Sequence, residues 1–348
     1  MTIIEIEDIK NQTQNSTQSY LFNLIVYSTC KARTAELKTI LTRITEKFPC
    51  RIIQIEKICE PNTDEIKVSL SKERSGKNGQ ITSDIIQIFV SESQMERVPF
   101  IILPNIVADL PVYLIFGDDP TSETKLLKNM QSFSTKLIFN AAWSGSLKDF
   151  SKRMKPFLQN LKIDFMDISW ALLNGWKELL AQVFDTPLKI SHLRTCKKII
   201  INYAYEKPED LIEAIYLTAF IASRMGWEFK AQEIQHHHKQ ALCYQYRGHD
   251  INVILDPVSD AQAKAGSIIN FELFAENATV YKLNSLKNSS KVLLHISSDE
   301  KCEIPCTFAL SDINRGNGFL REVFYQSPGH HYAETLEMIS KVNFRDIK

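Results

Sequence analysis

With 348 residues, of which 44% are hydrophobic and 24% charged, the chain has the composition of a globular protein of two domains or one large one, with enough material to close a core without disulfides. Lysine plus arginine and aspartate plus glutamate both number 41, so the basic excess of a nucleic-acid binder is absent and no net charge steers anions from afar. Glycine, at 11 residues, stands at about half its usual share, which leaves little for phosphate-cradling loops, and the seven scattered cysteines match reduced thiols rather than a secreted framework.

Residues 1–18 are acidic and polar, unlike a signal or transit peptide, and read as a mobile lead-in. No apolar run approaches the roughly 18 residues of a membrane span, so a cytoplasmic protein is expected. Tyr20 to Ser28 is a near-continuous run of β-formers, a buried strand. Lys31 to Phe48 carries a helical stripe at Leu37, Ile40, Leu41, Ile44 and Phe48, closed by Pro49, and Arg51 to Ile58 is a second strand. This is a βαβ unit with a right-handed crossover. Ser71 to Thr82, holding Gly76 and Gly79, reads as a polar loop, and Asp84 to Val90 as a strand. Pro99, Pro104 and Pro111 limit any helix between 97 and 111 to a short one. A strand at Val112 to Phe116, a helix at Ser122 to Phe133 and a strand at Lys136 to Ala142 complete an α/β sheet.

Leu147 to Leu161 is a helix leading out of that sheet, and Asp167 to Asp185 a helix holding two of the four tryptophans. Lys197 to Tyr205 is a strand. Glu209 to Trp227 is a buried helix opened by Pro208, with Gly226 near its end. Strand-patterned runs follow at 242–246, 251–255, 267–275, 278–283 and 291–297, then closing helices at Phe319 to Tyr325 and Tyr332 to Val342. The fold class is α/β: an N-terminal α/β sheet domain over 1–162, followed by an α+β C-terminal domain over 163–348.

No catalytic set and no cofactor motif emerge. The first strand is followed by Ser28-Thr29-Cys30-Lys31-Ala32-Arg33, without the glycines that let backbone approach a pyrophosphate. Neither a Walker loop nor a G-x-S-x-G elbow is present, and Arg315-Gly316-Asn317-Gly318 reads as a turn. Asp118-Asp119 lies just past a strand's carboxyl end, where α/β sheets bind ligands; it reads either as a ligand or magnesium site or as an acidic turn at the start of the next helix. His236-His237-His238 and His330-His331 point their rings apart and read as solvated turns, so no metal site is expected. Cys302 and Cys306, three residues between them, are either a redox pair or two unrelated thiols. A strand would hold them ~13 Å apart, and a turn at Pro305 would bring them closer.

The tryptophan helix divides. Asp167 or Ser169 can cap it. At 100° per residue, Ile168, Leu172, Trp176, Leu179, Leu180 and Val183 share one stripe, which makes Trp176 core. Trp170 falls roughly 120° from the stripe, beside Asn174, Lys177 and Ala181. It either packs under a neighbouring element or anchors a partner, since tryptophan is enriched at binding hot spots.

Four stretches resemble the glucose-6-phosphate dehydrogenase assembly protein family, OpcA: Tyr20 to Ile58 with its Phe-Pro-Cys-Arg-Ile-Ile turn; Phe100 to Phe116 around Asp-Leu-Pro-Val; Asp167 to Asp185; and Tyr216 to Trp227. Two departures stand out: Ile115-Phe116 where the family usually has tryptophans, and Lys177, without arginine's bidentate fork, where it usually has arginine. The resemblance implies two domains meeting near residue 162. It also implies a non-catalytic partner of glucose-6-phosphate dehydrogenase that promotes the active assembly, tuned in some members by cysteine redox state. Trp170, Asn174, Lys177 and Arg224 are the expected partner surface; neither nucleic acid nor membrane is expected. The alternative is a sugar-phosphate or nucleotide sensor or enzyme with its site near Asp118.

Overall fold

The computed structural model describes residues 20–58, 64–75, 81–122, 124–234, 238–260, 262–287, 289–310 and 320–342. The expected lead-in at 1–18, Cys59, Gly76, Gly79, His236, His237 and the turn at 315–318 lie outside them. The chain forms two compact units, Met1–Trp143 with Leu161–Met166, and Ser144–Asn160 with Asp167–Lys348. The helix at 147–160 therefore packs with the second unit, and the chain returns to the first for a last short strand.

In the first unit, β1 (Asn23–Ser28), α1 (Lys31–Thr45), β2 (Arg51–Lys57), β3 (Ile66–Ser75) and β4 (Ile81–Val90) precede α2 (Val98–Ile102), β5 (Val112–Gly117), α3 (Lys125–Gln131), β6 (Lys136–Phe139) and β7 (Asp164–Asp167). The sheet order is β3-β4-β2-β1-β5-β6-β7. β4, β2, β1, β5 and β6 run parallel. Every residue of β1 and of β5 is buried, which is why both read as continuous apolar runs. Leaving out β3, this is the doubly wound order, with its switch point between β1 and β5.

The expected polar loop at 71–82 is corrected. β3 pairs antiparallel with β4 from Ile66 opposite Val90 to Ser75 opposite Ile81. It is an edge strand whose Lys67, Ser69 and Ser71 face solvent, so its polarity marks the edge and not a loop.

The second unit holds α4 (Leu147–Asn160), α5 (Ile168–Leu172), α6 (Asn174–Val183), α7 (Pro187–Arg194), β8 (Lys198–Ala204) and α8 (Ile212–Met225). β9 (Glu228–Ile234), β10 (Gln240–Tyr246), β11 (His249–Val258), β12 (Ile268–Phe274), β13 (Val280–Ser285), β14 (Lys291–Ser297), β15 (Cys306–Ala309), a π-helical turn (Arg321–Tyr325) and α9 (His330–Lys341) follow. The sheet runs β15-β14-β13-β12-β8-β11-β10-β9, with β8 and β11 its parallel pair. Burial alternates along β10, β13 and β14, the mark of a sheet packed on one face. α8 packs against β8, β11, α5 and α9, and α9 against α4. Gly226, at φ 72°, closes α8 in the left-handed region that glycine adopts without strain. Among the described residues no helix is long and apolar enough to cross a membrane.

The undivided helix over 167–185 is also corrected. α5 ends at Leu172 and α6 begins at Asn174, so angles carried across Leu173 do not describe one cylinder.

Candidate functional site

Two places merit construction from their residues. The first is the switch point, where β1 and β5 end side by side at Ser28 and Gly117. Here the turn into α1 is knit by its own side chains. The Ser28 hydroxyl donates to the Cys30 carbonyl at 3.1 Å and lies 2.8 Å from Thr34 Oγ1, and Arg33 pairs with Glu36 while lying 4.9 Å from the Trp143 ring centre. Gly117 leaves no room for a side chain: a Cβ there would sit 2.4 Å from the Tyr27 carbonyl oxygen and 2.9 Å from Leu37 Cδ1. Gly117→Ala is therefore expected to lower stability by about 1–3 kcal/mol through overpacking, read as a fall in Tm of the purified chain.

Asp118 and Asp119 do not open the next helix, which starts at Lys125 with Thr124 accepting from Leu127 N–H at 3.2 Å. Asp119 instead folds the loop, accepting from Thr121 N–H at 2.8 Å and the Thr121 hydroxyl at 2.6 Å. Asp118 is half-buried, and burial raises its carboxyl above the ordinary range; the Asp119 N–H, which it accepts at 2.8 Å, opposes this, the Asp119 charge adds to it, and Arg33 and Lys57 oppose it.

The second place lies in the second unit, around Asp167. This residue is wholly buried, and its Oδ1 caps α5 by accepting from Ser169 N–H at 3.0 Å. Its Oδ2 accepts the hydroxyls of Tyr216 on α8 at 2.7 Å and Tyr332 on α9 at 2.9 Å. One carboxylate thus joins three helices. Burial, then the adjacent Asp167 charge, pushes both phenols well above their usual range.

Trp170 lies against this network and is 3% exposed. Its ring meets Phe220 edge-on at 5.8 Å and Tyr332 at 5.5 Å, and its Nε1 donates to the Pro328 carbonyl at 3.1 Å. Lys177 Nζ sits 3.7 Å from the Trp170 ring centre, a cation–π contact, and donates to the Trp170 carbonyl at 3.4 Å. Burial pushes the Lys177 ammonium down to about 8, against the pull of Glu322, Glu178 and Asp167.

Of the two readings of Trp170, the structure selects packing under neighbours. A ring covered by α8 and α9 is not an exposed anchor, and the expectation that it contacts a partner directly is corrected. The four expected surface residues separate accordingly. Trp170 is buried with the half-buried Lys177 over its ring, whereas Arg224 is exposed, and the half-exposed Asn174 donates to Glu178 Oε1 at 2.9 Å. Sequence reasoning passed over Tyr216 and Tyr332. The signal for Tyr216 was a hydroxyl set in an otherwise apolar, all-round buried helix, which calls for a buried acceptor.

The remaining candidates fall elsewhere. Cys302 and Cys306 are both exposed; Cys302 Sγ lies 3.0 Å from His295 Nε2, and only Cys306 belongs to a strand. His238 stacks on Tyr205. His330, His331 and Glu334 hold potential ligand atoms within 4.8 Å of one another at the start of α9, although Arg224 lies 3.3 Å from His331 Nδ1. The divergence expected for this histidine pair is corrected: the two ring centroids lie 3.8 Å apart, and the helix brings residue 334 round beside them.

A doubly wound unit joined to an α+β unit with an eight-stranded sheet defines a two-unit α/β protein. Among solved structures it is similar to an aldose-aldose oxidoreductase from Caulobacter crescentus, with a TM-score of 0.51 at 8% identity over 92% of this chain and 96% of that one, a likeness of fold alone.

The chain belongs to the OpcA glucose-6-phosphate dehydrogenase assembly family. Residues 41–155 match the model described as the glucose-6-phosphate dehydrogenase subunit N-terminal domain, and residues 163–316 the model for the corresponding C-terminal domain. Its relatives include proteins named OxPP cycle protein OpcA from Nostoc punctiforme, 22% identical over 54% of this chain and 40% of that one, and from Synechocystis sp., 23% identical over 68% and 51%. The chain thus spans about half the length of the curated relatives it matches.

Proposed function

We propose that the chain is a non-catalytic partner of glucose-6-phosphate dehydrogenase that favours the dehydrogenase's active assembly or conformation. The observation that carries this reading is the pair of family models over 41–155 and 163–316, both described as domains of a glucose-6-phosphate dehydrogenase subunit. Geometry supports it: the turn after β1 has no glycine and is knit by Ser28, Thr34 and Arg33 rather than left open to a pyrophosphate. Activation needs only a difference in affinity for two states of the enzyme, a tenfold preference being worth ~1.4 kcal/mol.

Arg224 on α8 and the half-exposed Asn174 on α6 supply the exposed part of the expected surface, and Trp170 and Lys177 stiffen the helices that carry it. Arg224→Glu is expected to raise the concentration needed for half-maximal activation of the dehydrogenase about tenfold while leaving Tm unchanged. Unchanged activation would take Arg224 out of the interface. Failure of the full chain either to co-purify with the dehydrogenase or to change its kinetics would sink the reading itself.

The half-buried Asp118 at the switch point favours a second reading, a sugar-phosphate or nucleotide sensor. It requires a ligand-dependent Tm shift, without the dehydrogenase, that Asp118→Asn removes.

A further inference from the structure

A groove of about 560 Å³ runs between α7 and the β10–β11 hairpin of the second unit. Ser191, Arg194 and Thr195, spaced to share one helical face, line one side, and Tyr246, Arg247 and His249 the other. Arg194 and Arg247 flank the same ring, their guanidinium carbons 5.8 Å and 5.3 Å from the Tyr246 centroid. Among the described residues neither guanidinium has a carboxylate partner; the groove residue His249 lies 2.9 Å from Glu276 Oε1 through its Nδ1.

The hairpin gives an independent pointer. Arg247 and Gly248 form its two-residue turn at φ 49° and 86°. Such turns demand two left-handed residues and are usually Asn-Gly. A long cationic side chain gains nothing from the first of these positions, and the turn places Arg247 in the lining of the groove.

We propose that this groove binds the phosphate group of a small phosphorylated metabolite. A phosphomonoester carries about −1.5 to −2 charge near neutral pH and three acceptor oxygens, which suit two planar guanidinium forks. The volume suits a ligand of that size. The groove lies in the α+β unit and is separate in sequence from the Asp118 loop, so the two are tested apart.

Calorimetric titration of the full chain with inorganic phosphate, a hexose 6-phosphate and the unphosphorylated hexose reads the proposal. Binding of both phosphates, tighter for the ester, and none of the free hexose is the expected result. Arg247→Asn suits the turn and is expected to leave the unliganded Tm unchanged or higher while weakening phosphate binding at least tenfold; Arg194→Met weakens it similarly, and Arg194→Lys less. Asp118→Asn leaves it intact. Absence of phosphate binding overturns the proposal, as does undiminished affinity in the folded Arg247→Asn, Arg194→Met double variant. Capture of a glutamate-rich peptide in place of phosphate overturns it too, reassigning the groove to a protein segment.

Discussion

Asp167→Ala is expected to cost about 3–5 kcal/mol, read as a lower urea midpoint, because it removes one acceptor from three donors at once. The Ser169 N–H loses its cap, and the buried phenols of Tyr216 and Tyr332 lose the carboxylate they share. Asp167→Asn keeps an oxygen for one phenol or the cap but loses the charge, and should fall between wild type and alanine. Tyr216→Phe and Tyr332→Phe each remove a donor and leave the carboxylate one bond short, with expected losses of ~1.5–3 kcal/mol. Both losses should shrink in the Asp167→Ala background, since the shared acceptor is already gone. The same phenols fix an alkaline limit. Their values in the folded protein stand well above 10.0, so the folded state holds their protons more tightly than the unfolded one. That contribution is complete below about pH 10 and is lost as pH rises beyond it. The Tyr216→Phe, Tyr332→Phe double variant should show a smaller alkaline loss, the remainder belonging to other buried phenols such as Tyr203 and Tyr244, which burial also raises. A loss below 1 kcal/mol in Asp167→Ala would mean that the three bonds do not hold in solution.

What the sequence disclosed follows from the range over which each signal acts. β1 and β5 are buried along their whole length, so a run such as Val112 to Phe116 states its own fate. β3, β9 and β15 went unread because each is an edge strand with solvent on much of its surface, and edges favour the polar residues that also make loops. The Asp167 cap was legible, being local. Its other two partners lie 49 and 165 residues away, beyond any window of periodicity. Trp170 shows the same limit from the other side. A helical wheel ranks a residue against its own helix, and the tryptophan's cover comes from α8 and α9.

Trp170→Ala is expected to cost about 3–5 kcal/mol, the range for emptying a core of a large ring. The variant also unroofs Lys177, whose cation–π contact is lost and whose ammonium regains water. In the intact protein this group ionises at about 8, against an unfolded value near 10.4, so the unfolded chain binds more protons between those limits. Stability should therefore rise with pH from about 8 towards 10 and be flat with respect to this lysine below 8. In Trp170→Ala the ammonium moves back towards its ordinary value and that rise flattens. Urea midpoints at several pH values, in wild type, Trp170→Ala and Lys177→Met, read this directly; a rise persisting in Lys177→Met would assign it to another group. If the chain activates the dehydrogenase as proposed, Trp170→Ala would lower activation by loosening α5 against α8 and α9 whether or not that face meets a partner, so its effect should track the stability loss and be reproduced by Tyr332→Phe in proportion. Arg224→Glu leaves the Asp167 network whole. A loss of activation there at unchanged Tm belongs to the interface, and only that combination places the partner on this side of the second unit.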